Sequence, residues 1–316
     1  MKGTHTMSPD SLAGRESRRL LAATLWFGMS IAAAPAAGVG YWSGRQIMDE
    51  VYRRHQQVPY VYEEQSIVMV DTMGQRNTRQ AKRYSRLEKD GAMKLLYIFE
   101  TPPEVKGVTL MATRNPQGKT SVSIYLPALG PEFLVSTGTG SSGSFPGTDL
   151  SIEDLVAEEL DHYIYERVDD TNLQDASYFV IDVYPADSDS RTRQRIKRHY
   201  VRQDNFYITR TDHYDRLGML YKKQSSFDLK QMDEEMWRGD IILIENIKNK
   251  HRSLIKINRR VFSEDYVPAA MFSREWVLAN YPPVSELAAR QEADQDGQQD
   301  AGISSKTGRV PGQGLP

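Results

Sequence analysis

Any chemistry in this chain would have to come from a few short stretches, the first of which is FLVSTGTGSSGSFPGTDLSIEDL, Phe133 to Leu155. An apolar run, Phe133-Leu134-Val135, is followed by Gly138-Thr139-Gly140-Ser141-Ser142-Gly143, which spells G-x-G-x-x-G. Between a strand and a helix, that spacing lets the backbone approach a dinucleotide pyrophosphate. Here Pro146 and Gly147 follow at once, and consecutive strands surround the loop, so the context is not that of a cofactor turn. The serines are no better placed as nucleophiles: an elbow reads G-x-S-x-G, and GSSGS sets its glycines one position too close. The glycines suit a hinge that tolerates positive φ. That hinge delivers the chain to a helix, where Ser151 and Asp154 make a capping box and Asp149, Glu153 and Asp154 sit near the positive helix end.

The remaining polar residues are equally sparse. His55, His162, His199, His213 and His251 stand apart from one another, and no H-E-x-x-H spacing occurs. In TDHYD, strand alternation would point His213 and Asp215 the same way, but two ligands do not make a catalytic zinc site, and a solvated strand end explains the stretch better. The pairs Glu63–Glu64, Glu158–Glu159 and Asp169–Asp170 are sequence neighbours, which face opposite sides of a strand. With 0 cysteines there is no thiol catalysis, thiolate metal site or disulfide. Neither an enzyme nor a cofactor or metal site is expected. In RTRQRIKRH, Arg191, Arg193, Arg195 and Lys197 recur every second residue, which would align four cations on one strand face. The stretch reads as a solvated hairpin tip, with a contact for anionic head groups or an acidic partner as the sharper alternative, at about 1 kcal/mol per cation.

The elements that must position these residues are mostly strands. The chain has 316 residues, a hydrophobic fraction of 39%, a charged fraction of 26% and a formal net charge of −2. Those values suit a globular core and argue against general attraction to nucleic acid. Arg15, Arg18 and Arg19 precede an apolar run and the triplet Ala34-Pro35-Ala36, the pattern of a cleaved export signal over residues 1–36 with faint twin-arginine character in SRRLL. Ser43 and Gln46 bracket the start of an amphipathic helix whose apolar face is Ile47, Met48, Val51 and Tyr52. From Tyr60 onward, thirteen short segments rich in Val, Ile, Tyr, Phe and Thr are parted by Gly, Pro and Asn, which predicts antiparallel strands. Alternation places Val122, Ile124 and Leu126 on one face, and likewise Phe179, Ile181 and Val183, and Ile255, Ile257 and Val261, each opposite a wet face. A brief helix before Pro282-Pro283 closes the domain, residues 37–283, and the polar, glycine-rich residues 284–316 read as a disordered tail.

Three blocks in this order, FETPPEVKGVTLMATR, IYLPALG and GSFPGTDLSIEDL, resemble the outer membrane lipoprotein-sorting protein family, relatives of the periplasmic lipoprotein carrier LolA. The C-terminal GDIILIENIKNKHRSLIKINRRVFSEDYVPAAMFSREWVL resembles the family's closing strands and last short helix. Relatives often carry a basic pair soon after the YLPAL block; here the chain reads Gly130-Pro131-Glu132-Phe133-Leu134. The resemblance implies a mainly β fold: a curved, incompletely closed antiparallel barrel whose concave face is covered by a few helices. It also implies a periplasmic, monomeric carrier that holds lipid or lipoprotein acyl chains and deals with an inner-membrane transporter or outer-membrane acceptor. An envelope sensor of the same fold, bound to a signalling partner, is the alternative. On the carrier reading Val122, Ile124, Leu126, Phe179, Ile181 and Val183 line the cavity, with plain core packing as the alternative for each of them. Gly138, Gly140, Gly143, Gly147 and Asp149 form the hinge of a lid that carries Leu155, Val156 and Leu160.

Overall fold

The computed structural model describes residues 41–56, 58–137, 148–155, 159–173, 176–187 and 193–287. The expected export signal, most of the tail, the glycines at 138–147 and Val156 lie outside them. The first half of the chain supplies β1 (Tyr60–Val70), β2 (Arg76–Leu87), β3 (Met93–Thr101), β4 (Thr109–Arg114), β5 (Thr120–Tyr125) and β6 (Phe133–Thr137). After a short helix come β7 (Tyr163–Arg167), β8 (Thr171–Leu173), β9 (Ala176–Pro185) and β10 (Lys197–Arg202). The last four are β11 (Ile208–Tyr214), β12 (Leu220–Gln231), β13 (Trp237–Asn246) and β14 (His251–Val261).

All of them join one antiparallel sheet in the order β6-β5-β4-β3-β2-β1-β14-β13-β12-β11-β10-β9-β7, with β8 beside β9. Sequence neighbours pair almost throughout, as short turns dictate. The main exception is β1 against β14, which sets the first and last strands side by side in the middle of the sheet. β6 and β7 form the two edges, so the curved sheet is an open half-barrel.

Three apolar clusters hold this arrangement. On the inner face, Tyr97, Phe99, Leu110, Val122 and Ile255 pack beneath Leu150 and Leu155. Further along that face, Phe179, Ile181, Val183 and Val201 pack under α1 (Gly44–His55), whose Ile47, Met48 and Val51 are buried. The capping box expected for this helix is complete: Ser43 Oγ accepts from the Gln46 amide, and Gln46 Oε1 accepts from the Ser43 amide. Each aliphatic side chain buried in these clusters contributes on the order of 2 kcal/mol. The third cluster lies on the outer face, where Val267, Met271 and Val277 of the C-terminal segment cover Tyr62, Tyr84, Leu96 and Ile98. The last helix, α3 (Arg274–Asn280), therefore sits opposite the concavity, while α1 and α2 (Ile152–Leu155) cover it.

Several local expectations are corrected. Val261 does not share a face with Ile255 and Ile257: a bulge between Glu64 and Gln65 shifts the register against β14, and Val261 packs with the outer cluster. In β9 the residues Tyr178 to Val183 are all buried, so neither face is wet. Its outer face is covered by charge rather than hydrocarbon, with Asp182 accepting from Arg195 (3.0 Å) and Arg198 (2.6 Å). Nearby, Arg195 stacks 4.0 Å over the Tyr214 ring and Arg210 4.7 Å over Tyr200.

Nor do the cations of the RTRQRIKRH stretch line up. Arg191 lies outside the described residues. Arg193 pairs with Glu166, Arg195 with Asp182, and Lys197 turns inward and is buried, because regular β structure begins only at Lys197. The helix expected over Ser151–Leu160 is described only as α2, followed by a 3₁₀ turn at Leu160–His162. Among the described residues no helix is long and apolar enough to cross a membrane.

Candidate ligand-binding cavity

A cavity of about 350 Å³ opens between the inner face of the sheet, α1 and the segment carrying Asp154, Leu155 and Leu160. Its position follows from inward alternation along two strand pairs that are far apart in the sequence. Val61 and Glu63 of β1 stand opposite Ser85 and Arg83 of β2. Across the sheet, Lys197 and His199 of β10 stand opposite His213 and Thr211 of β11. A second register shift, between Tyr200 and Val201, brings both Ile208 and Thr209 to the wall.

The walls are mixed. Met48, Val51, Val61, Ile208 and Ile242 provide apolar surface, while Glu63, Arg83, Arg114, Lys197, His213 and Arg238 bring charge or imidazole into the same space. Glu63 accepts from Arg260 Nε (2.7 Å) and Gln65 Nε2 (2.8 Å), and Tyr97 donates to Gln65 Oε1 (2.7 Å). Burial alone would raise the Glu63 pKa, but the Arg83 and Arg260 guanidinium groups outweigh it and hold the carboxyl below its usual range. Asp154 behaves alike: burial opposes its charge, and Lys222 at 2.8 Å holds it ionised.

The imidazoles go the other way. Burial, reinforced by Lys222, pushes His213 down to about 3. Burial pushes His55 down to about 4, and its Nε2 meets the Asn205 carbonyl oxygen at 3.1 Å. Both rings are neutral at pH 7, and among the described residues His213 Nε2 has no hydrogen-bond partner. Asp215, expected to point with His213, instead accepts from the Leu217 and Met219 amides in a turn, since a bulge separates His213 from Tyr214.

Of the residues selected from sequence, Leu155 and Leu160 are on this wall. Asp149 anchors the same segment by accepting from Ser253 Oγ (2.8 Å) and Asn246 Nδ2 (3.4 Å). Val122 and Ile124 belong to the cluster beneath Leu155, and Phe179, Ile181 and Val183 to the cluster under α1. Leu126 lies just past β5, half-buried. None of these six is among the residues lining the cavity. The polar wall was not anticipated, although its signal is in the sequence: Lys197 and His199, like Thr211 and His213, are polar pairs at i and i+2.

A family model described as "Uncharacterized protein" matches residues 91–277. The chain belongs to that family. Its fold is that of the outer membrane lipoprotein-sorting and LolA-superfamily structures. A Vibrio parahaemolyticus domain described as an outer membrane lipoprotein-sorting protein superposes with a TM-score of 0.65 at 21% identity, covering 74% of this chain and 97% of that one. A DUF1329 family protein from Desulfovibrio piger gives 0.60 at 24% identity, with 73% and 98% coverage. A LolA superfamily protein from Nitrosomonas europaea gives 0.58 at 13% identity, with 74% and 99% coverage. No curated protein matches the sequence. In this LolA-like fold the polar inner wall is formed by the strands themselves, and the α2 segment is fastened over them.

Proposed function

We propose that this chain is a non-enzymatic carrier or binding protein of the periplasm that holds a lipid, or the acyl part of a lipid-modified protein, between its half-barrel and the helical cover. The observation that carries this reading is the cavity of about 350 Å³ under α1 and the Leu155 segment, within the roughly 300–1,000 Å³ of small-molecule sites. The fold supports it, since one structure that shares it is described as a lipoprotein-sorting domain. Physically, each methylene withdrawn from water contributes about 0.8 kcal/mol, so a sixteen-carbon chain needs a shelter worth roughly 12 kcal/mol. A cover that yields at small free-energy cost lets such a cargo leave again.

The test is mass spectrometry of lipids that co-purify with the full chain from its native envelope, paired with titration of a fluorescent fatty acid into delipidated protein. An acyl-bearing species near one per chain, displaced by the probe, is the expected result. Protein that carries no lipid and captures no probe would overturn the reading.

A further inference from the structure

The charges on the cavity wall do not balance. Arg114 is matched by Glu159 at 3.1 Å, and Arg210 by Asp212 at 2.7 Å. Arg83 is matched less well: its carboxylate neighbour is Glu63 at 3.7 Å, beyond hydrogen-bonding reach, and Glu63 already accepts from Arg260 and Gln65. Arg238 donates to the Trp237 carbonyl oxygen (2.9 Å) and to that of His55, and among the described residues no carboxylate pairs with it. Its burial lowers its pKa, and Arg83 and Arg260 add repulsion. Arg260 is shared between Glu63 (2.7 Å) and Asp240 (2.8 Å), so three guanidinium groups stand among two carboxylates, and among the described residues neither carboxylate hydrogen-bonds Arg83 or Arg238. A guanidinium withdrawn from water without a counter-charge is costly. A ligand that brings the missing charge removes that cost, and a planar fork of donors suits a carboxylate or phosphate. Beside this cationic patch, Val51, Val61, Ile208 and Ile242 line the same cavity with hydrocarbon.

We propose that the cavity takes an amphiphile bearing one anionic head group, a carboxylate or phosphate, seated on Arg83 and Arg238 with its hydrocarbon part along Val51, Val61, Ile208 and Ile242. This rests on the carrier reading and narrows it: the cargo is selected by its head as well as its chain. Neutral lipids of equal length enter without the counter-charge that the two arginines need, and bind more weakly.

The experiment titrates delipidated full chain with dansyl-undecanoic acid, with its methyl ester, and with inorganic phosphate. The acid is expected to bind at least about tenfold more tightly than the ester, since a hydrogen bond to a charged group is worth about 1.5–3 kcal/mol. Arg83→Gln and Arg238→Gln should each weaken the acid about tenfold and leave the ester unchanged, while Arg83→Lys keeps most of the preference. The comparison of acid with ester on the unaltered chain needs no variant to fold. Equal binding of acid and ester would overturn the head-group proposal and leave the carrier reading standing, whereas capture of neither would overturn the carrier reading itself. Phosphate binding as tightly as the acid would overturn the amphiphile in favour of a plain anion site.

Discussion

Lys222 Nζ lies 2.8 Å from Asp154 Oδ2, with both side chains almost fully buried, at 5% and 3% exposed. Lys222 also donates to Ser151 Oγ at 3.1 Å, and Asp154 Oδ2 accepts from the Ser151 amide at 2.7 Å. One ammonium group thus fastens the short covering helix to the start of β12. Lys222→Met strands a buried carboxylate and should cost about 3–5 kcal/mol. Adding Asp154→Asn removes the stranded charge, so the double variant should recover part of that loss in a double-mutant cycle by urea unfolding. Strict additivity of the two would show that the pair is not coupled.

Stability should fall with acid before the carboxylates titrate. His55 and His213 have folded pKa values of about 4 and about 3, against roughly 6.5 in an unfolded chain. Between those limits the unfolded chain binds protons that the folded one refuses. The histidine contribution is therefore intact above pH ~6.5 and declines as pH falls, by about 1.4 kcal/mol per pH unit for each ring. Asp154, whose folded pKa is depressed, adds a further loss only at lower pH, below its unfolded value of about 3.9. Urea midpoints at pH 7.5, 6.5, 5.5 and 4.5 measure this, and His213→Gln should roughly halve the slope. A flat profile across that window would contradict buried neutral imidazoles.

Gly44 opens α1 against the backbone of β7. A Cβ there would stand 2.5 Å from the Tyr165 carbonyl oxygen and 2.9 Å from the Arg167 amide nitrogen. Both are backbone atoms of a paired strand, so neither can swing aside. Although alanine is the better helix former by ~1 kcal/mol, Gly44→Ala should destabilise by at least about 2 kcal/mol. A melting temperature equal to or above that of the parent chain would refute the close approach.

Core and cavity should separate by what their variants lose. Ile181 is fully buried under α1, so Ile181→Ala should cost about 2–5 kcal/mol and leave capture of a fluorescent fatty acid by folded protein unchanged. Ile208, half-buried on the cavity wall, is the converse. Ile208→Trp should fill the space and lower capture at least tenfold with little change in urea midpoint. Undiminished capture by the tryptophan variant would remove Ile208 from the binding wall.

Much of the fold was legible because it is local. The Tyr- and Val-rich stretch Tyr60–Val70 is β1 from end to end, and Ser43 with Gln46 marks the start of α1. β8 escaped because three residues, Thr171–Leu173, are too few for alternation to show. The cavity was not legible in the same way. Val122, Ile124 and Ile181 were selected for being apolar and alternating, and those properties equally describe side chains that meet other side chains across a filled space.

Alternation by itself established that the strands have two faces, since side-chain direction reverses at every residue, but not where each ends: the segment read at Met219–Phe227 is the strand Leu220–Gln231. Which face became concave, and what meets there, was decided by pairings distant in the chain. Glu63 finds Arg260 across 197 positions, and Lys222 finds Asp154 across 68. Single-residue bulges at Glu64/Gln65 and Tyr200/Val201 then sent Val261 outward and Ile208 to the cavity. A local pattern cannot register a one-residue shift that exists only relative to a partner strand, and such a shift changes the face of everything beyond it.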